Sequence, residues 1–403
     1  MNFFKKVYCR CFQGVFRLVL PLMPYREPNI LESNDDVIAM LKAENKQNVF
    51  LVTDKNIRNI GITKPLEEKI LENNISLTVF DSVLPNPTIS MVETALSLYK
   101  DHMCDCIIAL GGGSVIDCAK VVGARAVYPN KSVKQMKGLL KVNKKLPLLL
   151  AIPTTAGTGS ETTLAAVITD DETHHKYAIN SFPLIPHYAL LDYNLILGLN
   201  PYITATTGMD ALTHAVEAYI GKSTTKLTRE KSLEAIKLIY ENLKVSFDNG
   251  KDIAARQNML RASYLAGVAF TRSYVGYVHA IAHSLGGKYG VAHGLANAVI
   301  LPTMLYEYGK SAEKKLHKIA THIGLVDKSN NPHDSAQKFI SWIEEMNNYF
   351  GLPTNIPEIK YQDIEDMSKK ADKEGNPLYP VPKLMNAKEL ARVYLILMNE
   401  KEL

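Results

Sequence analysis

The chain has 403 residues, 46% of them hydrophobic and 22% charged, and its 46 basic and 41 acidic residues leave a formal net charge of +5. That is an ordinary globular composition, and so small and scattered a surplus excludes a nucleic-acid partner. Single cores stop growing at roughly 250–300 residues, so two domains are expected, at residues 1–195 and 196–403.

The first segment, MNFFKKVYCRCFQGVFRLVLPLMP, has the outline of a leader peptide. Arg17 and Pro21 interrupt its apolar run and no small-residue cleavage site follows, which argues against that reading. No later apolar run approaches the roughly 20 residues needed to cross a bilayer, so stable membrane insertion is not expected. Residues 3–20 are amphipathic, and packing against the body of the protein is preferred to a place at a membrane surface. The five cysteines include two C-x-C pairs, Cys9/Cys11 and Cys104/Cys106, without the C-x-x-C spacing of structural zinc. They are read as reduced thiols of a cytoplasmic protein.

From Val49 to about Asp192 short apolar runs alternate with helical periodicity. Candidate strands are VFLVTD (49–54), LTVFD (77–81), CIIAL (106–110), LLLAI (148–152), AAVIT (165–169) and YALLD (188–192), with helix-like PLEEKILEN and ISMVETALSLYK between the early ones. The alternation predicts a mostly parallel sheet covered on both faces, which binds ligands outside the carboxyl ends of its strands.

Those ends are polar and small. CIIAL runs into Gly111-Gly112-Gly113-Ser114 and then a predicted helix, 115–126, a corner that suits a pyrophosphate better than a plain tight turn. It is not G-x-G-x-x-G and it follows the third strand, so it is no ordinary Rossmann fingerprint. After LLLAI comes Pro153 to Glu161, where Thr154, Thr155 and Thr158 offer neutral hydrogen bonds to a phosphate or ribose, or simply start a helix. Asp54 would accept from a ribose 2′-hydroxyl and repel a 2′-phosphate, favouring NAD over NADP; a helix-capping role accounts for it equally well. Lys176 either neutralises a cofactor phosphate or is a solvated surface lysine.

Beyond Leu195 strand-like runs stop. REKSLEAIKLIYENLKVSF, AARQNMLRASYLAGVAF and SAQKFISWIEEMNNYF have helical periodicity, and LVDKSNNPHDS (325–335) reads as a loop. In TGMDALTHAVEAY, Asp210 and His214 are i, i+4 on one helical face, with N-terminal capping as the alternative role for Asp210. His279 and His283 repeat that spacing, and His293 follows. Asp210, His214, His279 and His293 make a mixed nitrogen–oxygen set suited to a borderline divalent cation.

GGGSVID, PTTAGTGSE, GMDALTHAVEAY and HAIAHSLGGKYGVAHGLANAV, in that order, resemble the iron-containing (group III) alcohol dehydrogenases from about Asn48 to the C-terminus. The resemblance implies a dehydroquinate-synthase-like fold: an α/β, Rossmann-like nucleotide-binding domain, then an all-α metal-binding domain. It implies metal ligands at Asp210, His214, His279 and His293 and a proton-transfer role for His283. Asp54, Asn86 within PNPT, Gly111, Gly112, Gly113, Ser114, Thr154, Thr155, Thr158 and Lys176 match cofactor-contacting positions. The acid at Asp54 resembles NAD-preferring members. Asp192-Tyr193 stands where relatives place Asp-Pro, implying a local loop change without effect on chemistry.

The expected reaction is reversible hydride transfer between a short-chain alcohol and NAD, with Fe2+ implied by the family and Zn2+ also suited to the donors. A zinc glycerol dehydrogenase is the alternative, although such enzymes use three ligands. A dehydroquinate-synthase-like lyase would need a basic cluster where Arg272 and Lys288 are the only bases. A nucleotide-binding sensor would lose the metal donors. Phe270, Tyr274 and Tyr277 either line the substrate pocket or pack the core. Gly286, Gly287, Gly290 and Gly294 are expected to turn the chain so that His293 returns to the metal. No motif encodes an oligomeric state, and a homodimer is the assembly considered.

Overall fold

The computed structural model describes residues 1–173 and 176–398, so the His174–His175 pair beside Lys176 lies outside the described residues. The chain divides into two compact units: Pro24–Leu197, and Met1–Met23 together with Gly198–Leu403.

The Pro24–Leu197 unit is built on a six-stranded sheet, all parallel, in the order Asn29–Leu31, Tyr188–Leu190, Leu148–Pro153, Cys106–Gly111, Asn48–Val52, Ser76–Phe80. Side chains alternate across each strand, so Phe50 and Val52 enter one apolar core while Val49 and Leu51 enter the other. Central strands buried on both faces explain why CIIALG and LLLAIP are continuous apolar runs. Five of the six expected strands lie in this sheet. AAVIT does not: Ala165–Thr169 pairs antiparallel with Lys176–Asn180, which also pairs with Gly138–Leu139, in a separate small sheet. Its burial alternates along the strand, as befits a sheet with one covered face, and a five-residue apolar run alone does not separate the two cases. Strand register places Val52 beside Ala109 and Gly111 beside Pro153, which gathers the loops after three neighbouring strands at one edge.

The other unit is helical. The expected segments fall in Lys226–Asp248, Ile253–Ser273 and Pro332–Tyr349. The expected 325–335 loop ends earlier, because Asn331 accepts from the His333 N–H at 2.7 Å and caps a helix starting at Pro332. Residues 1–23 do not group with the α/β unit, in contrast to the expected 1–195 domain. In helix Phe3–Val19 the buried Gln13 donates to the carbonyls of Pro377 and Tyr379, and Arg10 donates to those of Val381 and Pro382. These backbone acceptors lie more than 360 residues away in sequence, so local pattern cannot reveal the pairing. All five cysteines are free thiols.

Candidate metal centre and nucleotide loops

Helix Pro201–Ile220 begins with an Asn200 cap and a proline in its first turn, and Gly208 to Ile220 is wholly buried. Asp210 therefore lies inside the helix rather than at its cap. Asp210, His214 and Glu217 follow at i, i+4 and i+7, a single stripe. Helix Tyr277–Tyr289 carries His279 and His283, and helix His293–Tyr308 opens with His293.

The turn between these helices uses two of the four glycines singled out. Gly290 closes the first helix in the left-handed conformation, φ +73°, where its N–H reaches the Gly286 carbonyl. Gly294 permits contact with the neighbouring helix: a Cβ there would stand 2.5 Å from the Thr206 carbonyl oxygen. Gly287 faces open space, and Gly286 and Gly287 belong to the helix rather than to the turn.

Asp210, His214, His279 and His293 each present one ligand atom, all within 4.8 Å of one another. His279 is buried, and desolvation, reinforced by His214, His293 and His283, holds its pKa well below the ordinary imidazole value. Its Nδ1 lies 2.6 Å from Glu217 Oε2, so a neutral ring donates there and keeps its Nε2 lone pair for the cluster. Glu217 also accepts from the N–H groups of Gly276 and Val278, at 2.8 and 2.9 Å. Burial pushes its carboxyl up to about 8 against these donors. The His214 ring stacks on Phe270 with centroids 4.1 Å apart and lies 4.5 Å from His279.

Whether these residues suit a cation is tested by Asn297, one turn after His293. Its Nδ2 is 2.6 Å from Asp210 Oδ1, 3.2 Å from His279 Nε2 and 3.1 Å from His293 Nε2. An amide carries two hydrogens, whereas Asp210 Oδ1, His279 Nε2 and, in its Nδ1-protonated tautomer, His293 Nε2 are three acceptors. Acceptors in excess around one buried point are the donor chemistry of a divalent metal site, and the residues fit one.

His283 stands beside this group rather than in it. It stacks on His293 at 5.3 Å, and its Nδ1 is 2.7 Å from Glu374 Oε1, which also accepts from the Tyr379 hydroxyl at 2.7 Å. Tyr277 is fully buried and bonded to Asn376 and Met385, so it packs the core, and Tyr274 packs edge-on against Phe16. Of the three aromatic residues considered, Phe270 touches the donor cluster.

In the α/β unit, Gly112 precedes the first turn of helix Gly113–Val127, directly after strand Cys106–Gly111. A Cβ on Gly113 would meet the Thr158 side chain at 3.0–3.2 Å, so the missing side chain brings the helix start against the threonine loop. Thr154 donates its N–H to the Gly111 carbonyl at 3.1 Å, and Ser114 Oγ accepts from the Asn86 N–H at 3.3 Å. Thr155 Oγ1 lies 3.9 Å from a Cβ built on Gly112. Asp54 caps helix Lys55–Asn59 through the Ile57 N–H. Lys176 starts strand Lys176–Asn180, half-buried, where burial lowers its pKa. Asp192 accepts from the Asn194 N–H in a short turn, the local form taken by Asp192-Tyr193.

Sequence reasoning passed over four residues. Glu217 and Asn297 were readable, since each extends a ligand stripe at helical spacing: Glu217 three after His214, Asn297 four after His293. Glu374 carried no local signal. Neither did Lys120, which is fully buried and donates to Ser160 Oγ, the Thr163 carbonyl and hydroxyl and the Ala165 carbonyl at 2.8–3.1 Å. Burial lowers its pKa to about 8, opposed by Asp117 and Glu161. Asp117 accepts from Ser160 Oγ and the Val167 N–H, so this pair pins the end of the threonine loop.

Residues 28–193 match the family model "Iron-containing alcohol dehydrogenase", and residues 204–397 match "Fe-containing alcohol dehydrogenase family, C-terminal". The 1,3-propanediol dehydrogenase of Klebsiella pneumoniae is 35% identical over 384 residues, covering 94% of this chain and 98% of that protein. The NAD-dependent methanol dehydrogenase of Bacillus methanolicus is 34% identical, covering 83% of this chain and 88% of that protein. A solved structure of 1,3-propanediol oxidoreductase superposes with a TM-score of 0.88 at 35% identity, covering 92% of this chain and 98% of that one. Two matched family models that together span both units, and relatives aligned over nearly their whole length, establish that the chain belongs to the iron-containing alcohol dehydrogenase family.

Proposed function

We propose that this oxidoreductase, a metal-dependent alcohol dehydrogenase and aldehyde reductase by family, exchanges hydride reversibly between a short-chain alcohol and NAD. Asp210, His214, His279 and His293 hold the metal. The observation that carries this reading is their convergence, with three of the acceptors crowding the single amide of Asn297. Fe2+ is the ion the family points to, and the donor set equally suits Zn2+. When bound, the cation supplies Lewis acidity toward the alcohol or carbonyl oxygen, and the nicotinamide supplies the hydride chemistry.

The chain's own residues do the positioning. Glu217 holds His279 in the tautomer whose Nε2 faces the cluster, and Gly294 lets His293 approach the Asp210 helix. Phe270 covers one face of His214 and limits water there. His283, with Nδ1 directed to Glu374, exchanges the hydroxyl proton through Nε2, and the carboxylate stabilises the imidazolium that forms. The backbone N–H groups at the start of helix Gly113–Val127 and the hydroxyls of Thr154, Thr155 and Thr158 would receive the cofactor phosphates, and Asn86, Ser114 and Lys176 would assist. Asp54, whose Oδ1 caps its helix, would accept through its other oxygen from the ribose 2′-hydroxyl and so favour NAD.

The test is metal content by elemental analysis together with NADH formation from a panel of short alcohols, in wild type and His279→Ala. The variant is expected to lose at least about a hundredfold in both metal affinity and turnover. Undiminished turnover in His279→Ala would refute the metal assignment.

A further inference from the structure

The segment before residue 28 lies outside both family models, and the dehydrogenase chemistry assigns it no task. Its helix, Phe3–Val19, is held down on one side. Cys9 and Gln13 are buried, Gln13 and Arg10 bond to backbone carbonyls of residues 377–382, Lys5 pairs with Asp372 at 3.0 Å, and the Phe16 ring packs against Tyr274. At 100° per residue, the half-cylinder opposite Cys9 and Gln13 carries Phe3, Phe4, Tyr8, Val15 and Leu18, with Val7, Cys11, Gly14 and Val19 between them. It has no charged residue in it. Phe4 is 82% exposed, Leu18 79%, and Leu22 just beyond the helix 84%. A helix that faced only water would carry polar residues on that half.

Charge indicates what covers it. Residues 1–26 contain Lys5, Lys6, Arg10, Arg17 and Arg26 and no acidic residue. Arg10 and Arg17 border one edge of the apolar half and Lys5 the other, while Lys6 lies toward the buried side. Beyond the helix the positive field continues: Arg17, Lys222, Arg229 and Lys318 all disfavour a charge on Lys315, whose half-buried ammonium is pushed down to about 8 chiefly by desolvation. A second copy docked through the same face by a two-fold axis would bring the bordering cations Arg10 and Arg17 of both chains toward each other, with no carboxylate from the segment to separate them. An anionic surface has the complementary charge. An apolar half bordered by cations, on a helix already fixed to the protein by its other side, has the form of an interfacial anchor lying in the plane of the bilayer.

We propose that the outward face of helix Phe3–Val19 docks on anionic phospholipid and holds the enzyme at a membrane surface, without a spanning segment. The test is flotation of the full-length protein with vesicles of phosphatidylcholine alone or mixed with phosphatidylglycerol, for wild type and the double variant Phe4→Asp/Leu18→Asp. Both substituted side chains are exposed and neither belongs to the metal donors or the nucleotide-loop residues, so unchanged dehydrogenase activity certifies folding. Wild type is expected to float with the mixed vesicles at least about tenfold more than with neutral ones, to release in high salt, and to lose flotation in the double variant. Three results overturn the proposal: no flotation with mixed vesicles, equal flotation with neutral vesicles, or an oligomer in sedimentation velocity that the double variant dissociates, which would assign the face to a second copy.

Discussion

Substituting Gly294 by alanine tests how the metal donors are brought together. The added Cβ would lie 2.5 Å from the Thr206 carbonyl oxygen and 3.0 Å from its carbon, whereas carbon–oxygen contacts of this kind settle at about 3.3 Å or more. The obstacle is helix backbone and cannot rotate aside, so helices His293–Tyr308 and Pro201–Ile220 must part by about 0.8 Å. Thr206 is one turn before Asp210 and Gly294 is next to His293, so the whole displacement falls between two of the four donors. Overpacking costs about 1–3 kcal/mol, of which the better helix propensity of alanine offsets about 1 kcal/mol. The larger effect is on the metal, whose affinity is expected to fall about 10- to 100-fold, as when supporting groups around ligands are disturbed. Chelator competition gives the affinity and thermal melting of the metal-free protein gives the stability. Gly287→Ala is the control, because a Cβ there meets nothing within 4 Å and its helix would gain up to about 1 kcal/mol. If Gly294→Ala holds metal as tightly as Gly287→Ala, the close approach does not position His293.

Three N–H donors converge on the Glu217 carboxyl, and in Glu217→Gln the amide must point its own N–H at one or more of them. A loss of about 1.5–3 kcal/mol in metal-free stability and about 10- to 100-fold in metal affinity is expected, read by melting and chelator competition. Lys120→Met leaves the half-buried Asp117 carboxylate without its neighbouring cation and the carbonyls of Thr163 and Ala165 without their donor. It should cost about 3–5 kcal/mol in denaturant unfolding and raise the KM for NAD more than that for alcohol. His187 supplies a pH test. Its Nδ1 accepts from the Leu149 N–H, and burial lowers its pKa from 6.5 to about 4. The folded state thus resists protonation, so its contribution is full above about pH 6.5 and is lost as pH falls toward 4. After allowance for partial exposure the loss is about 2 kcal/mol, and His187→Gln should melt with a shallower dependence on pH in that window.

The strands of the nucleotide unit were legible because fully buried parallel strands are unbroken apolar runs, as in CIIAL and LLLAI. The same rule could not place AAVIT, since membership of one sheet or another depends on partners and not on the run itself. Gln13 and Arg10 look like solvent-facing polar residues in sequence; only carbonyls from residues 377–382 explain why they are buried or half-buried.

At the site, chemistry and spacing along a single helix are local properties. Asp210 with His214, and His279 with His283, could be put on shared faces from the 3.6-residue period alone, and Glu217 and Asn297 lay within reach of the same reasoning. Which of three neighbouring histidines joins the donor group, and which turns to a carboxylate, is not a periodic property. His279 and His283 share a face, yet one meets Glu217 and the donor cluster while the other meets Glu374. That division rests on the packing of helices distant in sequence, and on a glycine at 294 that lets two backbones touch. Residue types and helical phase are written in the chain itself, whereas the convergence of atoms from three helices onto one point depends on long-range packing that only the tertiary structure supplies.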